Sequence, residues 1–162
     1  MSPLLIDTNV LCVVAVGATG QANLSKHKRT RAYSSQDYET ISAVCGMFSR
    51  IIVCPHVLAE TSNLVRQAGE PLRYEAGAAL RHFCLAVEER EISSRMGMSR
   101  AEYLRLGLTD AVMLALMETG ATLLSDDLDL CLAAQGNGYP VINYNHLRDG
   151  GITLDDIRDG VL

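Results

Sequence analysis

The stretch Leu4-Leu5-Ile6-Asp7-Thr8-Asn9 sets a short apolar run against an abrupt polar stop. A run with no polar alternation fits a strand buried on both faces, as in a parallel sheet covered by helices. Its end at Asp7 predicts a polar loop at Asp7-Thr8-Asn9. Three further runs share this form. Arg50-Ile51-Ile52-Val53-Cys54 stops at Pro55, and β-branched residues before a proline suit a strand followed by a helix start. Ala121-Thr122-Leu123-Leu124 ends at Ser125-Asp126, and Val141-Ile142-Asn143-Tyr144 follows Pro140, a residue that can open a strand without losing a ladder bond.

Between these runs the apolar spacing becomes helical. Tyr38, Ile41, Val44, Cys45 and Phe48 recur at three- and four-residue steps, as do Val57, Leu58, Leu64 and Val65. Further helical patterns cover about 72–89, 99–106, 110–118 and 128–135, with Gly107, Gly120 and Gly136 as stops. Another strand is expected near Glu91-Ile92. Strands alternating with helices predict an α/β chain, a three-layer α/β/α sandwich around a central, mostly parallel sheet. One domain is expected over 1–148. Within it, 21–36 reads as a polar, basic, mobile insertion, and 149–162 as an acidic appendage hinged at Gly150-Gly151.

The 162 residues suit one globular domain, and 48% hydrophobic content is ample for a core. No apolar run approaches the roughly 20 residues needed to cross a bilayer, so no membrane partner is expected. The amino terminus lacks the charged flank and long apolar region of a secretory signal, which makes the cytoplasm the expected location. Cys12, Cys45, Cys54, Cys84 and Cys131 form no C-x-x-C pair and read as reduced core residues. With 14 Lys and Arg against 19 Asp and Glu, the formal charge of −5 opposes binding of nucleic acid by bulk electrostatics. Ser25 to Arg31 nevertheless carries Lys26, Lys28, Arg29 and Arg31, a candidate phosphate contact or a solvated loop.

Ligands of parallel α/β sheets collect beyond the carboxyl ends of the strands. Four acids fall in such places: Asp7 after the first run, Glu60 about a turn into the helix after the second, Asp110 opening a helix, and Asp127 after the third. Crowded carboxylates raise one another's pKa unless a divalent cation neutralises them. A hard oxygen set with no partnering His or Cys favours Mg²⁺ or Mn²⁺ over Zn²⁺. Asp7 and Asn9 also suit an ordinary turn, and Thr109 with Asp110 suits a helix amino terminus with Thr109 as cap. Asp126, Asp127 and Asp129 could likewise begin a helix.

At these positions the chain resembles the PIN-domain nucleases, which include toxin ribonucleases of bacterial toxin–antitoxin pairs. Leu4-Leu5-Ile6-Asp7-Thr8-Asn9-Val10-Leu11 is similar to the D-T-N motif, Leu58-Ala59-Glu60 to the helical glutamate, and Leu108-Thr109-Asp110-Ala111 to the S/T-D-A motif. Ser125-Asp126-Asp127-Leu128-Asp129-Leu130 is similar to T-x-D-x-D-F, with Ser125 for threonine and Leu130 for phenylalanine. The resemblance implies metal-assisted hydrolysis of a phosphodiester, leaving a 5′ phosphate and a 3′ hydroxyl. Asp7 and Asp110 would be the principal ligands, with Glu60 and Asp127 completing the site and Asp129 in reserve. Asp126 is expected on the surface. Ser125 would hold Asp7 by a hydrogen bond, and Asn9 would order metal-bound water or the first loop. RNA as substrate, a small antitoxin as partner and a homodimer all follow from the resemblance alone.

Three rivals can be weighed. A phosphatase would show D-x-D-x-T where this chain has Asp7-Thr8-Asn9-Val10-Leu11. A phospho-acceptor signalling domain would show paired acids after the first strand and a late lysine. A catalytically silent module that binds RNA or protein would have no need of four intact acids. His27, His56, His82 and His146 share no ligand spacing and receive no role.

Overall fold

In a computed structural model that describes residues 2–160, β1 (Leu4–Ile6), β2 (Ile51–Val53), β3 (Glu88–Glu89), β4 (Thr122–Ser125) and β5 (Val141–Asn143) form one sheet. All pairs are parallel, in the order β3-β2-β1-β4-β5. Met1, Val161 and Leu162 lie outside the described residues. β1 and β4 are buried throughout, which is why they read as unbroken apolar runs. β3 falls slightly before the strand expected at Glu91-Ile92. It is an edge strand of two exposed glutamates with no apolar signal, and its Glu88 pairs with Arg90 at 2.7 Å and Arg50 at 3.6 Å.

Helices flank the sheet, giving the expected three-layer α/β/α sandwich. The first replaces the loop expected at Asp7-Thr8-Asn9: α1 (Thr8–Gly17) starts directly after its N-cap, Asp7. Eight of its ten residues are buried, so it has no polar face to mark it as amphipathic. It is followed by α2 (Ser35–Met47), α3 (Pro55–Val65) and α4 (Leu72–Ala86), the last giving way to β3. The single helix expected over 99–106 is instead α5 (Ser94–Met98) and α6 (Tyr103–Leu106), separated by a turn. Then come α7 (Leu108–Met117), α8 (Leu128–Gly136), α9 (Tyr144–Arg148) and α10 (Leu154–Arg158). Gly97 lets α5 lie against α7, since a Cβ there would stand 2.6 Å from Val112 Cγ2.

The basic segment is built into the fold. A 3-10 turn spans Gln21–Lys26, and Leu24, His27, Thr30 and Tyr33 are buried. The backbone N–H of Arg29 donates to His27 Nδ1 at 3.1 Å, which leaves Nε2 to donate to the Leu64 carbonyl 3.0 Å away. That histidine ties the segment to the end of α3. The acidic end is likewise docked: α10 carries a Thr153–Asp156 capping box and buries Ile157 in the main core. Among the described residues no helix is long and apolar enough to cross a membrane, and the five cysteines are unbridged.

Candidate active site

From β1 the chain passes to β2 on one side and later to β4 on the other, so the strand order reverses at the centre of the sheet. Such a switch point opens a crevice at the carboxyl ends of the two central strands. Asp7 follows β1, and Asp126 and Asp127 follow β4. The Asp7 N–H donates to the Leu124 carbonyl at 3.2 Å, extending the β1–β4 ladder by one residue and fixing Asp7 at the crevice.

A cleft of about 280 Å³ lies there, lined by Asp7, Thr8, Asn9, Glu60, Asp110 and Asp127 and closed by residues 106–109. The four acids named from the sequence therefore share one cavity, and its lining contains no Lys, Arg or His. A larger groove of about 490 Å³ between α3 and α4 holds none of them and is mainly apolar.

Each carboxylate has a local reason for its place. Asp7 is the N-cap of α1: its Oδ1 accepts the Val10 N–H at 2.8 Å. Its Oδ2 accepts the hydroxyl of fully buried Ser125, whose Oγ also accepts the Asp127 N–H at 2.9 Å. Ser125 thus bridges two of the acids. Asp127 caps α8, accepting the Leu130 N–H at 3.0 Å. Glu60 projects from α3 as an exposed side chain, and its Oε2 accepts from Thr8 Oγ1 at 3.3 Å. Asp110 stands in the first turn of α7. That helix opens at Gly107, whose φ of +90° only glycine adopts readily, and Thr109 makes no cap hydrogen bond.

Two neighbours fall differently from expectation. Asp129 points away, with a side chain 74% exposed and 3.8 Å from Arg105. Asp126, expected on the surface, is half-buried and held: Asn9 Nδ2 donates to its Oδ1 at 3.2 Å, and the hydroxyl of Tyr33 donates to its Oδ2. Nothing local in the sequence signals the second contact, because Tyr33 and Asp126 are 93 residues apart. Lys26, Lys28, Arg29 and Arg31 are all exposed and none lines the cleft.

The electrostatics follow from burial without a counter-charge. Burial first, then the charge of Asp126, push the Asp7 carboxyl up to about 8 against the opposing hydrogen bonds of Ser125 and Val10. Burial, then Asp127 and Glu60, push Asp110 up to about 7. Among the described residues, no three His, Cys, Asp or Glu side chains are arranged to hold a metal ion as they stand. Asp7 and Asp127 are turned toward their helix N–H groups, and Glu60 toward Thr8. The donor chemistry itself fits a hard divalent cation, being all carboxylate oxygen in a cavity with no competing cationic side chain.

No family model matches the chain, and no curated protein matches it.

Proposed function

We propose that the chain is a Mg²⁺- or Mn²⁺-dependent nuclease, in keeping with the resemblance of its motifs to the PIN-domain nucleases. The observation that carries this reading is the meeting of Asp7, Glu60, Asp110 and Asp127, from four separate segments, in one cleft without a counter-charge. Two raised carboxyls there are what a site prepared for a cation looks like before the cation neutralises it. Each carboxylate oxygen that accepts a hydrogen bond keeps a second lone pair, and Glu60 is exposed. Modest side-chain rotations would therefore let the set close on an ion.

When bound, a divalent cation lowers the pKa of an attacking water and stabilises charge on the leaving 3′ oxygen. Asp7 and Asp110 would hold it, with Glu60 and Asp127 completing the shell or orienting water. Ser125 would fix Asp7 and Asp127 relative to each other. RNA is the proposed substrate on the family likeness, and a toxin role with a small antitoxin and a homodimeric state are proposals on the same ground. Purified protein should cleave single-stranded or structured RNA with Mg²⁺ or Mn²⁺ and not after chelation. Cleavage that persists without metal would sink the mechanism. Induced expression in a bacterium should arrest growth, and harmless expression of an active enzyme would count against a toxin.

A further inference from the structure

We propose that Tyr33 is a positioning residue of the carboxylate cleft, acting through Asp126 on the side-chain amide of Asn9; this rests on the nuclease reading. Asp126 does not line the cleft, but Asn9 does. Asn9 turns its NH₂ toward Asp126, donating to Oδ1 at 3.2 Å while the Tyr33 hydroxyl donates to Oδ2. Its carbonyl oxygen, left free of Asp126, would be the atom it offers to the cleft. That choice suits a cation or a metal-bound water, whereas a reversed amide would present N–H groups to a positive charge.

What keeps Asp126 in place is a clamp from two directions. Asn145 Nδ2 donates to its backbone carbonyl at 2.8 Å, and Tyr33 occupies its second carboxylate oxygen. Tyr33 is itself restrained: the Arg148 guanidinium lies 4.8 Å from its ring centroid, and the Tyr144 ring stacks on it at 6.1 Å. The tyrosine stands at the end of the basic segment that His27 anchors to α3. A single hydroxyl therefore joins that segment to the back of the cleft, and without it Asp126 and Asn9 lose their fixed orientation.

Tyr33→Phe removes the hydroxyl and keeps the ring that Arg148 and Tyr144 pack against. Titration of the metal-free protein with Mn²⁺ alone should show affinity lowered about tenfold, the low end of what losing a hydrogen-bonding group around a metal site costs. Asn9→Ala should lower it by a similar factor, and the double variant should be no weaker than Asn9→Ala alone, because both act through one amide. Asn145→Ala reads the same clamp from its other side if Tyr33→Phe fails to fold. Wild-type affinity in a folded Tyr33→Phe, or effects that multiply in the double variant, would overturn the relay while leaving the nuclease reading intact. A wild type that binds no Mn²⁺ would overturn both.

Discussion

Asp7 and Asp37 are both buried aspartates, and the fold treats them in opposite ways. Burial alone would raise Asp37, but hydrogen bonds from Ser34, Tyr144 and Arg148 prevail and hold it at about 2. Its Oδ1 accepts from Tyr144 at 2.5 Å and from Arg148 Nε at 3.1 Å. Asp7 has donors from Ser125 and Val10, yet burial first, then the charges of Asp126 and Asp110, push it up to about 8. One aspartate stabilises the packing of α2 against α9. The other is held at a cost to the metal-free protein that a bound cation would relieve. That contrast between a satisfied and an unsatisfied buried acid distinguishes a structural group from a candidate functional one.

The sharpest way to break the contrast is Asp7→Asn. Asparagine also caps helices well, so the fold should survive, while cleavage should fall about a thousandfold or more with the loss of a principal ligand. The same variant should melt higher than wild type at pH 8 without metal, because it removes a buried like-charge conflict. The stability Asp7 contributes is complete below its ordinary value of 3.8 and is lost as pH rises through about 8. Melting of the metal-free protein across pH 5 to 9 should show this decline, and Mn²⁺ should reverse it at the alkaline end. A flat profile in wild type would remove the electrostatic case for the site.

Asp37→Asn should do the reverse, destabilising the protein by about 2 kcal/mol near neutral pH and leaving cleavage within about twofold of wild type. Asp37 contributes stability above pH 3.8 that is lost as pH falls through about 2, so acid denaturation should start earlier once it is replaced. Denaturant unfolding would read both effects. Smaller still are the two acids of α8. Asp127→Ala should cost about 1 kcal/mol through the lost cap and about ten- to a hundredfold in cleavage. Asp129→Ala should change stability by less than about 0.5 kcal/mol and leave cleavage unaltered. Equal losses in both would contradict the placing of Asp127, and not Asp129, in the cleft.

Much of the fold was legible because β1, β2, β4 and β5 are buried and keep unbroken apolar runs, and because the acids follow those runs directly. Helix α1 was missed for a related reason: a helix buried on nearly every side has no amphipathic stripe to show its period. Strand β3 was displaced because two exposed glutamates carry no apolar pattern. Asp7, Glu60 and Asp110 are legible from their places after the apolar runs and at helix starts, whereas the choice of Asp127 among its neighbours and the pairing of Ser125 with Asp7, 118 residues away, follow from the motif resemblance. The partnership of Asp126 with Tyr33 has no local signal, since it exists only after the chain has folded. The segment 21–36 looked loose because its buried residues, Leu24, His27, Thr30 and Tyr33, are interleaved with exposed basic ones.

The four carboxylates of the switch-point cleft are proposed to form a cation site. A crystal structure of the protein soaked in Mn²⁺, with anomalous differences recorded at the manganese edge, tests it directly. A peak is expected within the cleft, bonded to oxygens of Asp7 and Asp110 at the distances of about 2.1–2.3 Å of a hard divalent ion. A cleft without a peak at saturating Mn²⁺, or manganese bound only at exposed acids such as Asp129, would contradict it.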